Sequence, residues 1–221
     1  MKTVETYLEE LRPIVAEMFK VDSGGHDLSH LERTAKAALY IQQYEGGDRV
    51  VIGIASFLHD VHRIMEVNLG RFVSPEESLD PIREVLAKVD LSESQIDQIC
   101  YCVEHHEHYN WNGDNVDDLN TLVLQDADNL DAMGAIGIAR GFQYGGANNM
   151  PLYDPSVPLE SNSSYVEGKG KDASTLHHFM NKSMRLADNM NTETGRKLAA
   201  QRNAYMLAFI EEFLTEWSAA Y

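Results

Sequence analysis

The stretch SGGHDLSH, residues 23–30, sets His26 and His30 four positions apart with Asp27 after the first. On a helix that spacing puts two imidazoles on one face, where they can share an ion, and it approaches the H-E-x-x-H pattern of zinc proteases. Asp27 is one methylene shorter than the Glu that such chemistry uses as its base. Gly24 and Gly25 place His26 at a helix start instead of inside it. A protease reading would require zinc held by both histidines.

Two further pieces carry carboxylates at the ends of apolar runs. His59-Asp60 follows VVIGIASF, and burying an ionised Asp there is costly unless it is hydrogen-bonded or on a metal. An interhelical His–Asp hydrogen bond is the simplest structural reading of that pair. LQDADNLDAMG follows LNTLVL and holds Asp126, Asp128 and Asp131. Asp128 and Asp131, three apart, lie on one helix face. They are either solvated charges at a helix start or a source of carboxylate for the ion that His59-Asp60 would bind.

The remaining histidines also cluster at helix ends: His62 after His59, then His105, His106 and His108, then His177 and His178. His106 is a candidate for contact with a ligand or a metal, with a surface position as the alternative. Tyr109, Trp111, Tyr144 and Tyr153 flank these clusters, as base-stacking residues or as ordinary packing. Seven cations, Lys169, Lys171, Lys182, Arg185, Arg196, Lys197 and Arg202, fall in the last part of the chain, as solvated helix faces or as partners of an anionic ligand.

Helices must position these groups. Helical periodicity runs through TVETYLEELRPIVAEMFK, SHLERTAKAALYIQQYE (ended by Gly46-Gly47), RVVIGIASFLHDVHRIM, SPEESLDPIREVLAKV and SESQIDQICYCVEHHEHY, the last opening with a capping box from Ser92 to Gln95. RVVIGIASFLHDVHRIM is apolar almost throughout and is expected to be the central buried helix. VDDLNTLVLQDADNLDAMGAIGIARGF reads as one or two helices. Periodicity then stops across a long irregular loop near residues 143–173, a length typical of a lid or disordered segment, and resumes in STLHHFMNKSMRLADNM and TETGRKLAAQRNAYMLAFIEEFLTEWSAA. With no strong strand runs, the expectation is an all-α fold, one helical domain over 1–221 with a metal-site core near 20–140 and a C-terminal lid and helices from 141 onward.

The formal charge of −17 argues against nucleic acid and anionic membranes as partners. It leaves room for a small anionic substrate, because a bound metal reverses the local field. Cys100 and Cys102 read as reduced thiols, and no stretch approaches the roughly 18 apolar residues of a membrane span, so a cytoplasmic location is expected.

Together these residues resemble the HD-domain metallohydrolases, whose pattern is H…HD…D on a helical bundle. His30, His59-Asp60 and Asp128 match it in order and interval, and HLERT, DADNLDAMGAIGIAR and the tail STLHHFMNKSMRLADNMNTETGRKLAAQR are similar to one bacterial branch. The resemblance implies His30, His59, Asp60 and Asp128 as ligands of a divalent ion (Mn, Fe, Ni, Co, Zn or Mg). It implies hydrolysis of a nucleotide or other small phosphate ester or anhydride, including pyrophosphate release from nucleoside triphosphates. Asp60, His106, Arg33 and Arg63 are then candidates for the catalytic step, and His26, Asp27, His177, Lys182 and Arg196 for the substrate. After HDV that branch carries an acidic residue and a Lys; here stand His62 and Arg63. A di-iron oxygenase and a non-catalytic nucleotide sensor are the alternatives, and a homodimer is compatible with either.

Overall fold

A computed structural model describes residues 2–20, 25–107, 116–160 and 172–219. His108, Tyr109, Trp111, Lys169 and Lys171 lie outside the described residues. The described residues are helical and irregular, with no strand. The helices are α1 Val4–Met18, α2 Leu28–Glu45, α3 Arg49–Leu58, α4 Val61–Leu69, α5 Leu79–Leu86, α6 Glu93–His105, α7 Leu119–Asp131, α8 Gly134–Ala147, α9 Thr175–Asn181 and α10 Glu193–Ser218. None of them is long and apolar enough to cross a membrane. The chain packs as two compact units: Met1–Asp128 with Asn191–Gly195, and Asn129–Met190 with Arg196–Tyr221.

In the first unit α3 is the axis, as its apolar run requires. Every residue from Val51 to Leu58 is buried, and α1, α2 and α6 pack against it. Gly53 makes that approach possible: a Cβ there would stand 2.5 Å from Val4 Cγ2 and 3.2 Å from Leu39 Cδ2. Gly53→Ala is therefore expected to destabilise the protein. The helix-propensity gain of about 1 kcal/mol is outweighed by overpacking of about 1–3 kcal/mol. A urea unfolding midpoint that rises instead would contradict this packing.

The apolar run and the HD pair do not form one continuous helix. α3 ends at Leu58 and α4 starts at Val61, with Asp60 at φ −93°, ψ 16°, where the helical backbone flattens. Ser92 and Gln95 form the expected capping box on α6. In the second unit α8 continues through Gly145 to Ala147, so the irregular segment begins a turn later than the composition implies. A side chain at 145 would collide with Thr175 Oγ1 where α9 packs on α8, which is why glycine is there.

Candidate metal centre

All the groups that converge lie in the first unit. α2 brings two of them. Asp27 caps it, accepting from His30 N at 2.8 Å and from Ser29 Oγ at 2.7 Å. That assigns Asp27 to the helix entrance, and burial is outweighed by these hydrogen bonds, which hold its pKa below the usual carboxylate range. His26 stands before the cap, so it and His30 are not an i, i+4 pair on one helix. Both nonetheless reach Asp60: His26 Nδ1 at 2.5 Å and His30 Nε2 at 3.1 Å from Oδ2.

The break between α3 and α4 orients two more. A helix end leaves carbonyls without intrahelical donors. Here the Ser56 carbonyl receives His59 Nδ1–H at 2.9 Å and the His59 carbonyl receives His62 Nδ1–H at 3.1 Å. At the end of α6 the Val103 carbonyl receives His106 Nδ1–H at 2.6 Å. These bonds place the proton on Nδ1 and turn each Nε2 inward as an acceptor or ligand.

Four donor atoms then meet. His30 Nε2 and His59 Nε2 are 3.2 Å apart, and Asp60 Oδ2 lies 3.1 and 3.4 Å from them. Asp128 Oδ1, from α7, lies 3.4 and 3.5 Å from the same two nitrogens. Ligands about 2.0–2.2 Å from a common ion are spaced by about 3–3.5 Å, so the set fits a divalent cation. The electrostatics agree. Burial would lower the pKa of His59, but Asp60 and Asp128 outweigh it and push it up to about 9. Asp60 and Asp128 are held well below the usual carboxylate range despite burial, by His59 and its neighbours. A buried carboxylate and a partly exposed one thus favour positive charge at this place.

Around this set the other candidates separate. His106 is buried, and burial lowers its pKa to about 4. Its ring lies 5.2 Å from His59 and 5.4 Å from His62, centre to centre. His105 turns away, its Nδ1 on the Tyr101 carbonyl and its ring stacked on Tyr101 at 4.2 Å. Arg63 is engaged by Glu107, by Glu66 at 3.1 Å, and by Asp60 at 4.0 Å. Burial, which lowers its pKa, is outweighed by these carboxylates. Its charge is therefore committed to the protein's own acids. Glu107 has no counterpart among the sequence expectations. His62, His106 and Arg63 draw its pKa down to about 2 against burial. Its only sequence signal is an acid between histidines in HHEHY. Arg33 lies on α2 with Nη1 on Ser29 Oγ at 2.8 Å.

The Asp triplet also divides. Asp128 joins the donors. Asp126 instead fastens the start of α10, accepting from Asn191 N at 2.7 Å, Thr192 N at 2.8 Å and Thr192 Oγ1 at 2.6 Å. Asp131, in the second unit, pairs with Arg140 at 2.8 Å. His177, Lys182 and Arg196 also belong to the second unit. There His177 is buried, with Nδ1 2.7 Å from Ser174 Oγ and its ring stacked 6.0 Å from that of Tyr153. Lys182 closes α9, and Arg196 Nη1 donates to the Met190 carbonyl at 3.2 Å.

The family model described as HD domain matches residues 27–133, a span that holds His30, His59, Asp60 and Asp128. The uncharacterized protein YpgQ of Bacillus subtilis is 30% identical over 206 residues, 92% of this chain and 90% of that protein. The crystal structure of an HD-superfamily hydrolase from Bacillus thuringiensis matches with a TM-score of 0.75 and 31% identity, over 98% of this chain and 100% of the other. The crystal structure of Bacillus subtilis YpgQ in complex with ADP matches with a TM-score of 0.72 and 29% identity, over 94% and 96% of the two chains.

Proposed function

The chain belongs to the HD-domain superfamily and has the fold of its hydrolases, and on that premise we propose that it is a metal-dependent phosphohydrolase. Its substrate in this reading is a nucleotide or another small phosphate ester or anhydride, with release of pyrophosphate from a nucleoside triphosphate as the narrowest form. The observation that carries it is the convergence of His30, His59 and Asp60, all buried, with the partly exposed Asp128. A divalent ion held there supplies Lewis acidity toward a phosphoryl oxygen and a water of lowered pKa.

The residues do the rest. Asp60 ligates and also orients the attacking water. His26, half-exposed at the rim, donates Nδ1–H to Asp60 and keeps that carboxylate turned inward. Arg63 acts on Asp60 by position, since its own charge is already matched by Glu66 and Glu107. Arg33, outside the donor set, is the cation we assign to the incoming phosphate. His106 is buried within reach of Asp60. The ADP bound to YpgQ supports a nucleotide as the substrate class.

A screen of nucleoside triphosphates and simple phosphate esters, with Mn²⁺, Fe²⁺, Co²⁺, Ni²⁺, Zn²⁺ and Mg²⁺, tests this reading. Turnover is expected to vanish in chelator and return with the ion. Pyrophosphate as product supports the narrow form, and orthophosphate supports an esterase or phosphatase form. An ion-loaded protein that turns over no phosphate compound would remove the proposal, and oxygen-dependent turnover with bound iron would favour the oxygenase alternative.

A further inference from the structure

Behind Asp128 lies a hydrogen-bonded tie whose other end comes from far along the chain. Asp126 and Asp128 are two positions apart on α7, which sets them about 200° apart around the helix. Asp128 reaches His30 and His59, while Asp126 meets Asn191 and Thr192, from the segment Asn191–Gly195 of the same unit. Asp126 is fully buried. Its Oδ1 accepts from Asn191 N at 2.7 Å and Nδ2 at 3.1 Å, and its Oδ2 from Thr192 N at 2.8 Å and Oγ1 at 2.6 Å. The segment reaches two more helices. Asn191 Nδ2 lies 3.0 Å from Gln125 Oε1, and Gln125 Nε2 donates at 3.0 Å to the His105 carbonyl at the end of α6. Thr194 N donates at 2.6 Å to Glu45, the last residue of α2. The segment is therefore tied both to the helix that carries Asp128 and to the helix that carries His30. Gly195 closes the fit: a Cβ there would stand 2.2 Å from Asp126 Oδ2.

Capping of α10 needs only the Thr192 hydroxyl, which accepts from Gly195 N at 2.9 Å. A buried carboxylate beneath that cap is costly to place. What it adds is a fixed relation between α7 and the segment. We propose that Asn191 and Thr192 are positioning residues for the metal centre, acting through Asp126 to fix the rotation of α7 and with it the aim of the Asp128 carboxylate. The proposal rests on the metal-dependent reading above. An aspartate carboxylate is one methylene from the backbone, so its oxygens follow the helix. A rotation of about 10° moves an atom about 5 Å from the helix axis by roughly 1 Å. That is several times the tolerance of about 0.2 Å in a metal–ligand distance.

Thr192→Val keeps the shape and removes the hydroxyl, and Thr192→Ser keeps the hydroxyl. Each full-length variant is titrated with Mn²⁺, and the d–d absorption of bound Co²⁺ reports ligand geometry without reference to turnover. Thr192→Val is expected to lose about tenfold in Mn²⁺ affinity, the low end for groups that support a ligand, and to shift the Co²⁺ bands. Thr192→Ser is expected to keep both. Asn191→Ala, which removes the side-chain amide and leaves the main-chain bond, is expected to follow Thr192→Val. Gly53→Ala, destabilised in the α3 core, controls for stability alone and is expected to keep the affinity and bands of the intact protein. Unchanged affinity and bands in Thr192→Val and Asn191→Ala overturn the proposal, and so does an equal change in Gly53→Ala. Loss of the fold in both variants overturns it too, because the segment is then needed for folding and not for aim. An intact protein that binds no ion overturns both this proposal and the phosphohydrolase reading. The expected metal responses without turnover of any phosphate compound remove only the latter.

Discussion

Asp60→Ala is expected to lose metal and hydrolysis together. Oδ2 of Asp60 is met by His26, His30 and His59 at 2.5, 3.1 and 3.4 Å, so one substitution removes a ligand and the acceptor around which three imidazoles are arranged. A ligand contributing several kcal/mol of charge stabilisation corresponds to a loss of about a thousandfold or more in kcat/KM. The fold is expected to survive, since the α3 core does not depend on the carboxylate, and circular dichroism checks that. Steady-state turnover on the substrate found in the screen, measured beside metal content after gel filtration, gives the result. Turnover at the original rate would sink the site.

His30→Ala and His26→Ala are expected to separate. His30 is fully buried and its Nε2 is one of the four converging atoms. His26 is 35% exposed, with Nδ1 2.5 Å from Asp60 Oδ2 and its ring 5.4 Å from that of His30. Loss of an outer partner of this kind costs about 10–100-fold in metal affinity. His30→Ala is expected to cost more than that range, and His26→Ala to stay inside it. Titration with Mn²⁺ followed by metal analysis compares them directly. Equal losses would restore the two histidines of SGGHDLSH to equivalence and with it the zinc-protease reading.

The all-helical fold was legible because each helix announces itself by a 3.6-residue apolar period and by chemistry at its ends, as Ser92 and Gln95 do for α6. His59-Asp60 and Asp128 stand at the edge of apolar runs, where an unpaired polar group would be costly; His30 carries no such signal and entered only through the resemblance to the H…HD…D pattern. The break at Asp60 was not. Periodicity continues straight through VVIGIASFLHDVHRIM, and the backbone departs from it at the residue that the site uses. The division of labour among Asp126, Asp128 and Asp131 was hidden as well. The partners of Asp126 lie at 191 and 192, a separation no local pattern reports. The pairing of Arg63, a candidate for the catalytic step, with Glu107 was hidden too, because the two lie 44 positions apart.

The inward-facing histidines at 59, 62 and 106 are each steered by a main-chain carbonyl three residues earlier, not by a side chain. A backbone acceptor is present whatever residue occupies its position. Point substitutions at 56, 59 or 103 cannot remove it while the helix ends hold. The aim of these three imidazoles is thus inherited from secondary structure and is robust to mutation. The residues that would touch substrate carry no such protection. Descendants of this chain can drift in what they recognise while the imidazoles go on pointing at the same place.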